Sequence, residues 1–300
     1  MERDDYWKPL FFPGQATNFF NLGDLPEFLP DHVNYHAGNA LFMAELCRWI
    51  YNTDNEEARA SGSSTSVENA YLDRANLREV RLCNPEEAQA SLLLSKDESY
   101  AILLYRGTSK LQDWLANLNA PAVRWWGKGM VHKGFMEAFV KIWEQVAPVL
   151  ADVSVPVFFA GHSLGGALAT LTASLRAPHA LYTFGSPRVG NRVFAQSLQH
   201  VTVHRLVNGL DVVPTLPIPG GPLDYVHVGR RRRLWTHARW NLLRGLAGLR
   251  RLWRRRKFSV DTFLQAENPF RPSDFLVDHA PLNYVTRLQR EWHRSSARRR

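Results

Sequence analysis

The run Val155-Pro156-Val157-Phe158-Phe159-Ala160-Gly161-His162-Ser163-Leu164-Gly165-Gly166-Ala167-Leu168-Ala169-Thr170-Leu171 changes character twice. Six mostly apolar residues open it, fit for a strand buried on both faces. A segment rich in alanine and leucine, with high helix propensity, closes it. Between them a serine stands with a glycine two residues before it and another two after. A sharp strand-to-helix turn holds its apex residue in a strained backbone state, and the two backbones pass close to each other beneath it. Only small flanking residues allow that approach. Gly161 and Gly165 meet the demand, and Gly166 and Ala167 let the helix lie close on the sheet. The turn pushes the Ser163 hydroxyl above the sheet edge and sets the helix N-terminus beneath it. Ser163 is therefore a candidate nucleophile.

On both sides of this unit, extended and helical stretches follow one another. Before it, 79–83, 89–94 and 100–105 read as strands. The last two are joined by the turn-forming Ser95-Lys96-Asp97-Glu98-Ser99 and so make a hairpin. Ala40, Leu41, Ala44, Cys47 and Ile50 recur at helical spacing and predict an amphipathic helix over 35–51; a further helix is expected over 134–150. After the serine, 180–184, 201–207 and 225–228 read as strands, 192–198 as a helix, and a last helix begins near Ala280. The first thirty residues, rich in Phe, Pro and Gly, read as an irregular arm over the domain, and 52–66 as a polar loop. The expected fold class is α/β: one domain over 1–300, with a mainly parallel central sheet and helices on both faces.

The composition is that of a globular chain, 45% hydrophobic and 12% aromatic. No stretch offers the roughly 18 apolar residues of a membrane span, and Met1-Glu2-Arg3-Asp4-Asp5 begins no secretory leader, so a cytoplasmic, peripheral-membrane protein is expected. Cys47 and Cys83 are too few for a disulfide framework; two buried free thiols are expected, though one bridge is compatible with the count. The net charge of +9 is unevenly spread. Residues 230–257 hold 12 Lys/Arg and no acid, and 287–300 hold six and one Glu, leaving 19 basic against 27 acidic residues elsewhere. An acidic body thus carries two basic appendages.

A serine nucleophile needs a base, an acid to fix the base's tautomer, and donors for an oxyanion. Asp211 lies just past a buried strand, in a loop closed by Pro214 and Pro217. Asp224, Asp261, Asp274 and Asp278 are its rivals, with surface hydrogen bonds or helix capping as their alternative roles. Of eleven histidines, His279 sits in a loop before the last helix and follows Ser163 and Asp211 in chain order. His162 is expected to point away from the turn in a packing or hydrogen-bonding role, and His132 and His227 to be structural. The backbone N–H of Leu164 is placed as one oxyanion donor by the turn itself. Thr108, at the end of an earlier strand, fits the second. No metal or cofactor is expected.

These segments resemble the class 3 lipases, the fungal lipase-like family of α/β-hydrolases. The matching stretches are Tyr105-Arg106-Gly107-Thr108, Asp113-Trp114-Leu115, Val131-His132-Lys133-Gly134-Phe135, the serine turn, Thr183 through Asn191, Arg205 through Pro217, and Asp278-His279 with Tyr284. The resemblance implies a serine hydrolase of lipid or other carboxylic esters, with Ser163, Asp211 and His279 as triad and Thr108 with Leu164 as oxyanion hole. It also implies a lid at Leu111, Trp114, Leu115 and Leu118. Spacing alone makes that stretch a short amphipathic helix, which suits a cover that opens at a lipid surface and equally suits plain core packing.

Residues 230–257 have no counterpart in the family pattern and read as an insertion. On a helix, Leu234, Trp235, Ala238, Leu242, Leu246, Leu249, Leu252 and Trp253 gather on one side, with Arg239, Arg244, Arg250, Arg251 and Arg254 opposite. Docking on an anionic membrane surface suits such a helix. A solvated basic loop and phosphate-directed nucleic-acid binding compete, and no base-reading motif accompanies the arginines. A second reading of the whole chain follows: a membrane- or nucleic-acid-binding protein on a catalytically idle hydrolase scaffold.

Overall fold

The computed structural model describes residues 18–20, 25–52, 66–84, 88–108, 120–218, 224–234 and 277–297. Two sheets form among them. The larger has seven strands: β1 (Leu77–Cys83), β2 (Ala90–Ser95), β3 (Ala101–Tyr105), β6 (Val157–His162), β7 (Ala180–Phe184), β9 (Val203–Asn208) and β11 (Arg230–Leu234), side by side in that order. β1, β2 and β3 pair antiparallel, and every pairing from β3 to β11 is parallel. The smaller sheet joins β4 (Ala122–Arg124), β5 (Met130–His132), β8 (Gly190–Asn191) and β10 (Tyr225–Val226) in the order β10-β8-β5-β4. The expected α/β architecture with a mainly parallel central sheet is thus present, and the hairpin at 95–99 joins β2 to β3.

Strand β6 shows why the sheet carries helices on both faces. Val157 and Phe159 enter one apolar cluster with α3 (Lys133–Ala151) and α4 (Leu164–Leu175). Phe158 and Ala160 point the other way, into a second cluster with α1 (Ala37–Trp49) and α6 (Pro281–Ala297). Every residue of β6 is buried; each large side chain so removed from water stabilises the fold by about 1.5–3 kcal/mol. The remaining helices are α2 (Ser66–Arg74) and α5 (Arg192–Ser197).

Three boundaries differ from the sequence expectation. α1 is buried on all sides rather than amphipathic. Its polar residues are covered because residues 18–20 and 25–30 lie along it: Asn39 exchanges hydrogen bonds with the Leu29 backbone, and Glu45 accepts the Phe20 N–H at 3.0 Å. Arg48 forks onto Glu45 at 2.8 Å, reaches Asn18 Oδ1 and lies over the Phe19 ring at 4.2 Å. Arg230–Leu234 is a strand of the main sheet. Pairing with β9 and the cover of Arg232 on the Tyr35 ring, 3.5 Å away, outweigh the weak strand propensity of arginine. Arg287 and the residues to Ala297 continue α6, which buries Tyr284, Val285 and Leu288 against the sheet; they are no tail.

The remaining basic segment 235–257, the stretch carrying Leu111, Trp114, Leu115 and Leu118, and most of the N-terminal arm and the 52–66 loop lie outside the described residues. Cys47 and Cys83 are free and buried. No helix among the described residues is long and apolar enough to cross a membrane.

Candidate active site

Ser163 sits between β6 and α4 with φ 57° and ψ −126°. The glycines meet the steric demand read from the sequence. A Cβ on Gly161 would overlap the Gly165 backbone, and one on Gly165 would overlap the Tyr105 carbonyl. The serine N–H donates to the Phe184 carbonyl at 2.9 Å. Its side chain is only 2% exposed, and its Oγ has no hydrogen-bond partner among the described residues. Leu164 opens α4, so its N–H is one of those that a helix leaves without an internal acceptor.

The chain brings Asp211 to this end of the sheet as it leaves β9. Its carboxylate is fully buried and heavily engaged. The Nδ1–H of His279 donates to Oδ2 at 2.9 Å and reaches Oδ1 at 3.0 Å. The Tyr284 hydroxyl donates to Oδ2 at 2.6 Å, and the Val213 N–H to Oδ1 at 2.9 Å. Burial, then the adjacent Asp211 charge, pushes the Tyr284 phenol well above its usual range, so it remains a donor. Tyr284 in turn accepts the Asn208 N–H at 3.0 Å, which ties α6 to the end of β9.

Asp278, a rival acid, has another task. Its Oδ2 accepts the Leu210 N–H and its Oδ1 meets Arg287, both at 2.7 Å. It therefore pins the Asp211 loop to the segment that carries His279. Asp224 pairs with Arg192 at 3.3 Å, while Asp261 and Asp274 lie outside the described residues.

His279 is fully buried. Its backbone carbonyl accepts a hydrogen bond from His162 Nε2 at 2.7 Å. A carbonyl only accepts, so His162 carries its proton on Nε2, and Nδ1 accepts from the Tyr51 hydroxyl at 3.0 Å. Burial, and next the neighbouring His279, depress the His162 pKa well below that of a free imidazole, and its ring stays neutral. The two imidazole centroids are 4.5 Å apart. The residue before the serine thus clasps the loop carrying the candidate base, the hydrogen-bonding role expected of it. The floor is Gly185, where a Cβ would press on Asp211 Oδ2 at 2.8 Å and on the His279 ring at 2.9 Å.

Thr108 lies half-buried in the loop after β3. That loop runs hard against the turn: a Cβ on Gly107 would overlap the Tyr51 hydroxyl and come within 2.9 Å of the His162 carbonyl. Asp211 and His279 are hydrogen-bonded, Ser163 and Leu164 share the adjoining turn, and the Thr108 loop borders it. Nothing in the sequence marks Tyr284, the Val213 N–H, Tyr51 or Gly185 for a role of its own in the site. Tyr284 belongs to a matching stretch, but nothing local marks its hydroxyl as a donor.

A carboxylate fixed on Nδ1 makes Nε2 the basic nitrogen of His279, able to take a proton from a hydroxyl. Residues 102–220 match the family described as Lipase (class 3). The chain is 38% identical over 157 residues to secreted mono- and diacylglycerol lipase 1 of Fusarium solani, covering 41% of this chain and 45% of that one. It is 33% identical over 170 residues to the chloroplastic phospholipase A(1) DAD1 of Arabidopsis thaliana, covering 46% and 37%. The solved Rhizomucor miehei lipase propeptide complex superposes with a TM-score of 0.53 at 24% identity, over 66% of this chain and 68% of that one. The chain spans about half the length of the relatives it matches. Residues 102–220 thus match the class 3 lipase family, and the fold around them is one shared with the fungal lipases.

Proposed function

We propose that this protein is a serine hydrolase cleaving carboxylic ester bonds of lipids through a Ser163–His279–Asp211 triad. The observation that carries the reading is the Asp211–His279 pair at 2.9 Å, buried and tied by His162 to the serine's own turn. Ser163 Oγ attacks the ester carbonyl carbon while its proton passes to His279 Nε2. The N–H groups of Thr108 and Leu164 hold the oxyanion, and Asp211 steadies the imidazolium. Collapse expels the alcohol with the proton from His279. Water then attacks the acyl-enzyme, giving its proton to His279, and the carboxylic acid leaves as Ser163 recovers its hydrogen.

Relatives named as a mono- and diacylglycerol lipase and as a phospholipase A(1) support lipid esters as the substrate class. In this reading the stretch with Leu111, Trp114, Leu115 and Leu118 is a lid, and 235–257 docks on an anionic membrane surface. Turnover of a p-nitrophenyl ester tests the chemistry: Ser163→Ala should abolish it, and equal rates in both proteins would end the proposal. The interfacial half is tested by the wild-type rate on lipid in anionic vesicles. A rate no higher than on the monomeric ester would remove the lid and the docking segment from the account.

A further inference from the structure

We infer that Arg188, Arg205 and Arg231 form a binding site for a phosphate-type oxyanion, independent of the hydrolytic reading. Arg205, on β9, is its base. It is 9% exposed, and the single hydrogen bond of its side chain among the described residues is a long one, from Nε to the Gly229 carbonyl at 3.4 Å. Directly opposite in the parallel register stands Arg231 of β11, on the same face one strand spacing away. Like charges so placed repel.

Arg188, from the loop after β7, is held by the carbonyls of Thr215 and Pro217, near enough for its charge to act on Arg205. Burial, then Arg231 and Arg188, lower the Arg205 pKa to about 10. Burial, then the same three arginines, push His227 beside them down to about 3. His227 is therefore neutral, with Nε2 committed to the Pro214 carbonyl at 2.7 Å.

No carboxylate pairs with Arg188, Arg205 or Arg231 among the described residues. A buried guanidinium without a counter-charge is costly, and elsewhere the chain avoids this by forking Arg48 onto Glu45. The remedy that fits three convergent guanidinium groups is an anion of more than one charge with several acceptor oxygens. Phosphate matches their planar donor geometry. The mouth is open to solvent, since Arg231 is exposed and Arg188 half-buried.

The test uses the full chain and inorganic phosphate, with chloride at matched ionic strength as reference. Calorimetric titration should show saturable binding. The Tm should rise by roughly 2–4 °C once phosphate exceeds its dissociation constant several-fold. Arg231→Glu sets a carboxylate opposite Arg205; it should raise the Tm without phosphate and abolish the phosphate increment. Arg231→Ala should weaken phosphate binding at least tenfold. Arg230→Glu makes the same charge change on the other face of the strand and should leave binding intact.

Sedimentation with phosphatidylcholine vesicles, with and without phosphatidic acid, identifies the source of the anion. A loss of vesicle binding in Arg231→Glu but not in Arg230→Glu supports a lipid headgroup. Phosphate binding without that loss supports a free phosphate compound. The inference is overturned if wild type answers phosphate no more than chloride, as it would were a carboxylate of the chain already in place. Equal effects of Arg231→Glu and Arg230→Glu would also overturn it.

Discussion

Asp211 and Arg205 stand on one strand and its exit loop, both withdrawn from water, and the molecule treats their charges in opposite ways. The carboxylate accepts from an imidazole, a phenol and a backbone N–H, all within 3.0 Å. The guanidinium has one carbonyl at 3.4 Å and two other arginines for company. Charge held in low dielectric is tolerable when every lone pair or proton has a partner. A satisfied group is thereby fixed in place, as a base-orienting acid must be. An unsatisfied one leaves its attraction for something from outside.

Removing the charge at the satisfied end should have the largest effect. Asp211→Asn keeps the shape but replaces an acceptor with an amide that can favour the wrong His279 tautomer. Ester turnover should fall on the order of 10⁴-fold in kcat with the fold intact. A fall of less than tenfold, measured beside an unchanged circular dichroism spectrum, would mean that Asp211 does not orient the base.

The next effect concerns stability and sets Arg205 against the buried guanidinium that does have a carboxylate. Arg48→Met strands Glu45 and should cost about 3–5 kcal/mol in urea unfolding. Arg205→Met removes a charge with no counter-ion among the described residues, so the cost should be under about 1 kcal/mol, or the change should stabilise. Equal losses at the two positions would erase the distinction. The smallest effect is expected from Tyr284→Phe, which takes one donor from Asp211 and the acceptor from the Asn208 N–H. We expect a loss of about 1–2 kcal/mol in stability and roughly a tenfold drop in kcat, with KM unchanged. A shift confined to KM would show that the tyrosine serves binding and not the acid–base pair.

The same contrast marks what could be read from the sequence. Ser163, Asp211 and His279 announce themselves locally, by a glycine pair around a sharp turn or by a loop just past a strand or before a helix. The alternating strands and helices of the central sheet were legible from apolar runs and helical spacing. Tyr284 was not, because its hydroxyl acts on a residue 73 positions away and its own neighbourhood is an ordinary helix. Nor was β11 legible. Its arginines suit neither a strand nor a core by propensity, and only the edge of β9 makes them one. The burial of α1 likewise depends on covering residues, 18–20 and 25–30, that carry no regular pattern.

The backbone at Ser163, at φ 57° and ψ −126°, belongs to a region that suits glycine far better than any residue with a side chain. The hydroxyl is thus presented at the expense of a torsion the rest of the domain must hold under tension. Deleting the side chain altogether would relax that tension. On the proposed chemistry, a sturdier and silent relative of this molecule therefore lies a single codon away.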